Sequence, residues 1–294
     1  MTVREALTRV KAELAGAGVE SPALDARLLL AEVLGVDRSS PVVAAGGSAD
    51  PIGPGRLAEF FALARRRAAG ECVAYLLGRK EFYGLEFAVN QSVLVPRPET
   101  ETLVEAALER LSAGDGRPPR ALDLCVGSGA VAVAVKRLAP EVEVWAADVC
   151  PRALETAKAN AARLLPPGAI RFFLGDLFEA LSGEGPATFD LIASNPPYVP
   201  SGEIPGLSPE VRGEPALALD GGPDGLSPIR EIVARAPGFL RPGGTLALEA
   251  DPRQMREIAA LMEAAGFAGA RTRRDLSGAE RVIEGRAPST PRAV

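Results

Sequence analysis

From residue 121 onward the chain repeats one pattern: short apolar runs, each followed by a stretch at helical spacing. The runs are ALDLCV, VEVWAAD, IRFFLGD, TFDLIAS, GTLALEA, a weak one near Arg271, and RVIEGR, with helices predicted at about 130–138, 151–164, 226–240 and 252–265. This alternation restricts the region to an α/β fold with right-handed crossovers and a largely parallel sheet covered on both faces. Ligands of such sheets lie outside the carboxyl ends of the strands. The residues that end each run are therefore where chemistry is to be sought.

The first 70 or so residues read instead as helices. Thr2 and Glu5 fit a capping box, and Leu7, Val10 and Leu14 follow at helical spacing until Gly16 and Gly18 stop them. Ser21 reads as an N-cap with Pro22 at the first helical position, and Leu24, Leu28, Leu29 and Val33 continue to Gly35. A loop rich in Gly, Pro, Ser and Asp covers about 37–55, and a third helix runs over about 56–69 to Gly70. In it Arg65, Arg66 and Arg67 read most simply as a solvated face, and alternatively as a docking contact for a partner. The aromatic, β-branched stretch EFYGLEFAVNQSVLV, broken at Gly84, predicts a small β-hairpin. PRPETETLVEAALERL starts a helix at Pro98 whose Leu103, Ala107 and Leu111 form one stripe, and SAGDGRPPR is a loop. The predicted division is a helical domain over 1–77, a hairpin linker over 78–97, an α/β domain over 98–286 and a flexible tail over 287–294.

The chain has no histidine. That excludes the Ser-His-Asp triad, the Cys-His dyad, the HExxH zinc helix and the facial-triad iron site, and no metal is expected. The net charge of −5 gives no support for a broad nucleic-acid-binding face. Cys72, Cys125 and Cys150 are scattered and odd in number, as reduced thiols of a cytoplasm would be. The start MTVREALTRV has no apolar signal core, and the most apolar run is interrupted by Asp123 and glycines, too short to span a bilayer. A soluble intracellular protein is expected.

The first strand of the alternating region ends in Asp123-Leu124-Cys125-Val126-Gly127-Ser128-Gly129 and leads directly into AVAVAVKRL. A glycine turn from strand to helix lets backbone amides approach a ligand at the helix N-terminus. The next strand ends in Asp148, at the spacing where an acidic residue holds ribose hydroxyls. The glycines alone equally describe a tight βα turn; with Asp148 they favour a nucleoside. A pyrophosphate would call for G-x-G-x-x-G, whereas G-x-G preceded by Asp123 suits a cofactor without phosphate, such as S-adenosylmethionine. Asp176, in LGDLF after the third strand, is either an acceptor for an adenine amino group or a solvated strand end.

The fourth strand runs into Asn195-Pro196-Pro197-Tyr198. The fold rule puts Asn195 beside the reactive sulfonium. Two prolines stiffen the backbone and remove two amide donors, leaving the Asn195 side-chain oxygen and the Pro196 carbonyl as a rigid pair of acceptors, with Tyr198 as an apolar face. Such a pair suits a planar amino group on an sp² carbon. It takes both N–H donors, aims the nitrogen at the methyl group and stabilises the charge that develops there. No strong base is required before transfer, so the lack of histidine is compatible with the chemistry. The bland alternative is a rigid turn built from Asn and Pro.

With these residues the chain resembles class I S-adenosylmethionine-dependent methyltransferases, and more closely the HemK/PrmC family, the protein-(glutamine-N(5)) methyltransferases of peptide chain release factors. AYLLGRKEFYGLEF, VLVPRPETETLVE, LDLCVGSGAVAVA and SNPPYVP carry the resemblance, with RGEPALALDGGPDGL also similar. The resemblance implies a Rossmann-like, mainly parallel seven-stranded sheet behind an N-terminal helical domain that docks the release factor. It implies methyl transfer to the glutamine of the Gly-Gly-Gln loop in class 1 release factors, tuning translation termination. It implies cofactor contacts at Cys125, Val126, Gly127, Ser128, Gly129, Asp148 and Asn195. Adenine would then lie near Asp176 and against Leu177 or Phe178. Asn195, Pro196, Pro197 and Tyr198 would receive the glutamine, with Asn195, Pro196 and Tyr198 catalytic. The family often has Gly-Thr where this chain has Cys125-Val126, which is tolerable if only backbone faces the cofactor.

Two other functions fit parts of the pattern. NPPY also serves enzymes that methylate exocyclic amines of DNA or RNA bases, but these need basic surface to hold phosphates. A nucleotide-binding module without turnover would have little use for rigid acceptors beside a sulfonium. Neither a nucleic-acid substrate nor a membrane partner is expected.

Overall fold

The computed structural model describes residues 1–44, 47–111, 117–184 and 188–288. Two units divide it, one of residues 1–79 with 208–213, the other of residues 80–207 with 214–294.

The helical unit is built from α1 (Val3–Gly16), α2 (Pro22–Leu34), α3 (Pro54–Ala68) and α4 (Val73–Leu77). Val10, Leu14, Leu29, Leu30 and Phe60 are fully enclosed between them. The capping box at Thr2 and Glu5 forms in both directions. Ser21 makes no side-chain cap bond, because its backbone at φ −119° and ψ 57° departs from the extended conformation that aims a capping side chain at the next amides. α3 starts at Pro54, earlier than its periodicity suggests, and α4 adds a turn the sequence reading did not place. Part of the 37–55 loop, residues 45–46, lies outside the described residues. Arg67 corrects the solvated-face reading. Arg65 and Arg66 are exposed, but Arg67 is buried, its Nε donating to Asp25 Oδ2 at 2.7 Å and its other arm to Glu210.

The second unit follows in chain order as β1 (Arg79–Phe82), whose first residue closes the helical unit, β2 (Leu85–Ala88), α5 (Glu101–Leu111), β3 (Arg120–Leu124), α6 (Ala130–Leu138), β4 (Glu143–Asp148), α7 (Pro151–Leu164), β5 (Ile170–Leu174) and β6 (Phe189–Ser194). Then come α8 (Pro209–Arg212), which belongs to the helical unit, α9 (Ala216–Leu219), α10 (Ser227–Arg235), β7 (Leu240–Glu249), α11 (Met255–Ala264), β8 (Ala268–Arg274) and β9 (Glu280–Arg286). β1 and β2 form the hairpin, turning on Tyr83 and Gly84, both left-handed as a type I′ turn requires. The strands stop at Ala88, so the expected hairpin is shorter than its β-branched sequence. Residues 112–116 of the predicted SAGDGRPPR loop lie outside the described residues.

The remaining strands make one seven-stranded sheet in the order β5-β4-β3-β6-β7-β9-β8. β5 to β7 pair in parallel, and β9 runs antiparallel to both neighbours. Side chains alternate across it. Ala121, Ala146, Leu191, Ala193 and Ala247 face the layer of α5, α6 and α7. Leu122, Trp145, Ile192, Leu246 and Leu248 face the layer of α10 and α11. Burial on both faces is why these strands read as continuous apolar runs. Of the expected flexible tail over 287–294, Ala287 is buried and its N–H donates to Gly244 O at 2.7 Å, which corrects the bound, and 289–294 lie outside the described residues. No helix among the described residues is long and apolar enough to cross a membrane.

Candidate active site

The turn from β3 to α6 compresses the backbone into left-handed conformations. Cys125, Gly127 and Gly129 have φ of 60°, 53° and 84°. Two are glycines, which adopt this region freely; Cys125 does so under strain. A Cβ on Gly129 would meet Ala157 Cβ at 3.2 Å, so this glycine also lets α6 and α7 approach. Asn160 of α7, wholly buried, donates to Ser128 O at 2.9 Å and pairs both ways with the Ala88 backbone at 2.8 and 2.9 Å. It thus ties the glycine turn to the hairpin. Behind the turn, Asp123 accepts from Ala132 N at 3.0 Å in the first turn of α6. Burial pushes its carboxyl up to about 8.

Asp148 ends β4 with both carboxylate oxygens engaged: Oδ2 accepts from Gly127 N at 2.9 Å and Oδ1 from Cys150 N at 2.8 Å. Burial raises its pKa, and these backbone donors oppose the rise. Each oxygen retains a second lone pair. After β5, Asp176 and Leu177 form the next stretch of wall, with Leu177 in the left-handed region at φ 41°. Phe178 turns away into the core, stacked on Phe239 at 4.4 Å between ring centroids. Of the two candidates for an apolar wall, only Leu177 stands at the cavity.

β6 delivers Asn195. Ser194 Oγ donates to Leu124 O at 2.8 Å, bracing the ends of β6 and β3. Asn195 Nδ2 donates to Thr100 Oγ1 at 3.3 Å. Gln254 donates to Tyr198 O at 2.9 Å and to Gly225 O at 3.3 Å, holding the turn after the prolines. Burial pushes the Tyr198 phenol upward, so it stays protonated.

These elements enclose one cavity of about 560 Å³, the size of a site for a drug-sized molecule. Cys125, Val126, Gly127, Ser128, Asp148, Asp176, Leu177, Asn195 and Pro197 line it. Gly129, Pro196 and Tyr198 are not in its wall: Gly129 caps α6, and Tyr198 packs against the α10 and α11 core. Asp148, Asp176, Asp220 and Glu231 face the cavity against two cations, Arg97 and Arg152, a lining that suits a positively charged ligand; Asp123, largely protonated, adds little charge.

The PRPETE segment forms part of this wall, through Pro96, Arg97 and Thr100, and braces it. Arg97 pairs with buried Glu214 at 2.7 Å, Thr100 receives Asn195, and Glu101 Oε1 accepts from Tyr83 N at 2.9 Å at the hairpin turn. Asn160, Gln254 and Glu249 escaped the sequence reading. A polar residue on a buried helical stripe was the available signal for Asn160, and a carboxylate closing the buried apolar run of Leu246, Ala247 and Leu248 was the signal for Glu249.

The chain matches the PrmC N-terminal domain over residues 5–78 and the methyltransferase small domain over residues 100–205. It is 43% identical over 286 residues to a release factor glutamine methyltransferase of Deinococcus radiodurans, covering 97% of this chain and 99% of that protein. It is likewise 43% identical over 271 residues to one of Burkholderia pseudomallei, covering 90% of this chain and 92% of that protein. A crystal structure of a methyltransferase from Pyrococcus furiosus shares the fold at a TM-score of 0.51 and 18% identity, over 76% of this chain and 99% of that one. Cavity, sheet order and near full-length identity agree: the chain belongs to the release factor glutamine methyltransferase family.

Proposed function

We propose that this chain binds S-adenosylmethionine in the cavity and methylates the side-chain amide nitrogen of the glutamine in the Gly-Gly-Gln loop of a class 1 release factor, in the cytoplasm. One observation carries the reading: Asn195 opens on the same cavity as the glycine turn and Asp148. The residues fit the cofactor. Asp148 keeps a lone pair on each oxygen for the ribose hydroxyls, Leu177 offers an apolar wall to adenine, and the acidic lining suits a cation. When bound, S-adenosylmethionine supplies an electrophilic methyl group on a sulfonium.

The chain's own part is to hold and aim the amide. The Asn195 amide oxygen, on the cavity wall, accepts an N–H of the glutamine, and the proline pair keeps the backbone that carries it stiff. Methyl transfer to that nitrogen would build positive charge on it, and the fixed Asn195 oxygen would stabilise the charge without reorganising. The surplus proton then leaves to water. The helical unit serves as the docking surface for the release factor, with the exposed Arg65 on α3 open to it and Arg66 paired with Glu71.

Purified protein with labelled S-adenosylmethionine is expected to label a release factor, and to leave unlabelled a variant whose Gly-Gly-Gln glutamine is asparagine. Equal labelling of that variant rejects the assignment, and labelling of RNA or DNA instead points to a nucleic-acid methyltransferase.

A further inference from the structure

The parallel register of β6 and β7 aligns Ser194 with Leu248, so Asn195 and Glu249 occupy neighbouring positions at the carboxyl edge of the sheet. Both fall on the face of Leu191, Ala193 and Ala247, which α5 covers. The turn Pro98–Thr100 that opens α5 sets the Thr100 hydroxyl between them. Asn195 Nδ2 donates to Thr100 Oγ1 at 3.3 Å, and the Glu249 carboxylate lies next to that hydroxyl. Thr100 is 4% exposed and Glu249 1%, and Glu249 Oε2 has no hydrogen-bond partner. Glu249 stands behind Thr100, outside the cavity wall.

The direction of these bonds matters more than their strength. The two ends of an asparagine amide have nearly the same shape, so its partners decide which end faces where. A threonine hydroxyl has one proton. Once that proton is given to Glu249, the oxygen offers Asn195 only lone pairs. Asn195 must answer with an N–H, and its oxygen is the end left for the cavity.

We propose that Glu249 and Thr100 are positioning residues: the carboxylate takes the hydroxyl proton, and this polarity turns the Asn195 amide oxygen toward the substrate nitrogen. The proposal rests on the functional reading above, because the outward oxygen matters only if Asn195 accepts from a substrate amide. Burial pushes the Glu249 carboxyl up to about 7, against Arg281 and Arg97, so the rates are compared above that pH, where it is ionised.

The test measures kcat, KM for the release factor, S-adenosylmethionine affinity and melting temperature for Thr100→Val, Thr100→Ser, Glu249→Leu, the double variant Thr100→Val with Glu249→Leu, and Asn195→Ala. Thr100→Val and Glu249→Leu are each expected to lower kcat on the order of a hundredfold, the scale of a misaimed reacting group, while cofactor affinity holds. In Glu249→Leu the hydroxyl loses its acceptor, and its proton turns to Asn195 and inverts it. Thr100→Ser keeps the hydroxyl and most of the rate. The double variant is no slower than either single one, because the pair acts as one unit. Thr100→Ser as slow as Thr100→Val, or additive losses in the double variant, overturns the proposal. Asn195→Ala at full rate removes the functional reading itself, whereas a slow Asn195→Ala beside a normal Thr100→Val removes the relay alone.

Discussion

Replacing Asp148 by asparagine isolates what its carboxylate does. Both oxygens already accept a backbone N–H, from Gly127 at 2.9 Å and Cys150 at 2.8 Å. An asparagine has one oxygen and one NH2, so one of these donors must face another donor. Leaving a buried N–H unpaired costs about 1–3 kcal/mol, and the relief of no longer burying a charge offsets part of it, so stability falls toward the lower end of that range. Cofactor binding loses more. The NH2 cannot accept a ribose hydroxyl, and a hydrogen bond to a charged acceptor contributes about 1.5–3 kcal/mol. Roughly tenfold to 150-fold weaker binding follows. Isothermal titration calorimetry with S-adenosylmethionine and S-adenosylhomocysteine is the assay, since both carry the same ribose and must weaken together. Unchanged affinity, or a loss for one ligand only, would refute the ribose role of Asp148.

Two other perturbations probe the same turn. Cys125→Gly relieves a left-handed conformation worth about 1–2 kcal/mol in a non-glycine residue, against glycine's extra chain entropy of about 0.5–1 kcal/mol, so a higher melting temperature is expected and a lower one contradicts the strain. The Asp123 carboxyl, raised to about 8 by burial, keeps its proton in the fold at pH values where the unfolded chain has released it. Unfolding free energy should therefore fall as pH rises from about 4 to 8, by at most about 1.4 kcal/mol per unit from this group. Glu249, raised to about 7, adds the same sign over its own narrower window. Urea titrations across this range should show a shallower fall for Asp123→Asn, and an equal fall would assign the slope elsewhere.

The central strands were legible because burial on both faces leaves an unbroken apolar run, while β8, exposed over much of its length, left only a weak trace near Arg271. The hairpin was overextended because Val93 and Val95 are β-branched and buried, yet they lie in coil, where burial and not pairing selects such residues. α8 and α9 span four residues each, too short to show a helical period. The glycine turn and Asp148 could be placed from spacing alone, since chain direction determines which residues end the strands. Which way successive side chains leave the NPPY turn could not: Asn195 and Pro197 meet the cavity, and Pro196 and Tyr198 do not. Arg67 was misread for a different reason. Three consecutive arginines look solvated, yet Arg67 continues the buried stripe of Phe60 and Ala64 on α3.

That arginine has a consequence for how the chain can be cut. Glu210, contributed from far along the polypeptide, completes the ion triad with Asp25 inside the helical unit, and a Cβ on Gly70 would strike Pro209. Excising the first 79 residues would strand an acidic partner on one fragment and leave a desolvated guanidinium half-neutralised on the other, a loss that commonly reaches about 3–5 kcal/mol. Any transplant of the leader into a related enzyme must carry residues 208–213 with it, so the two pieces of sequence are inherited as one physical module.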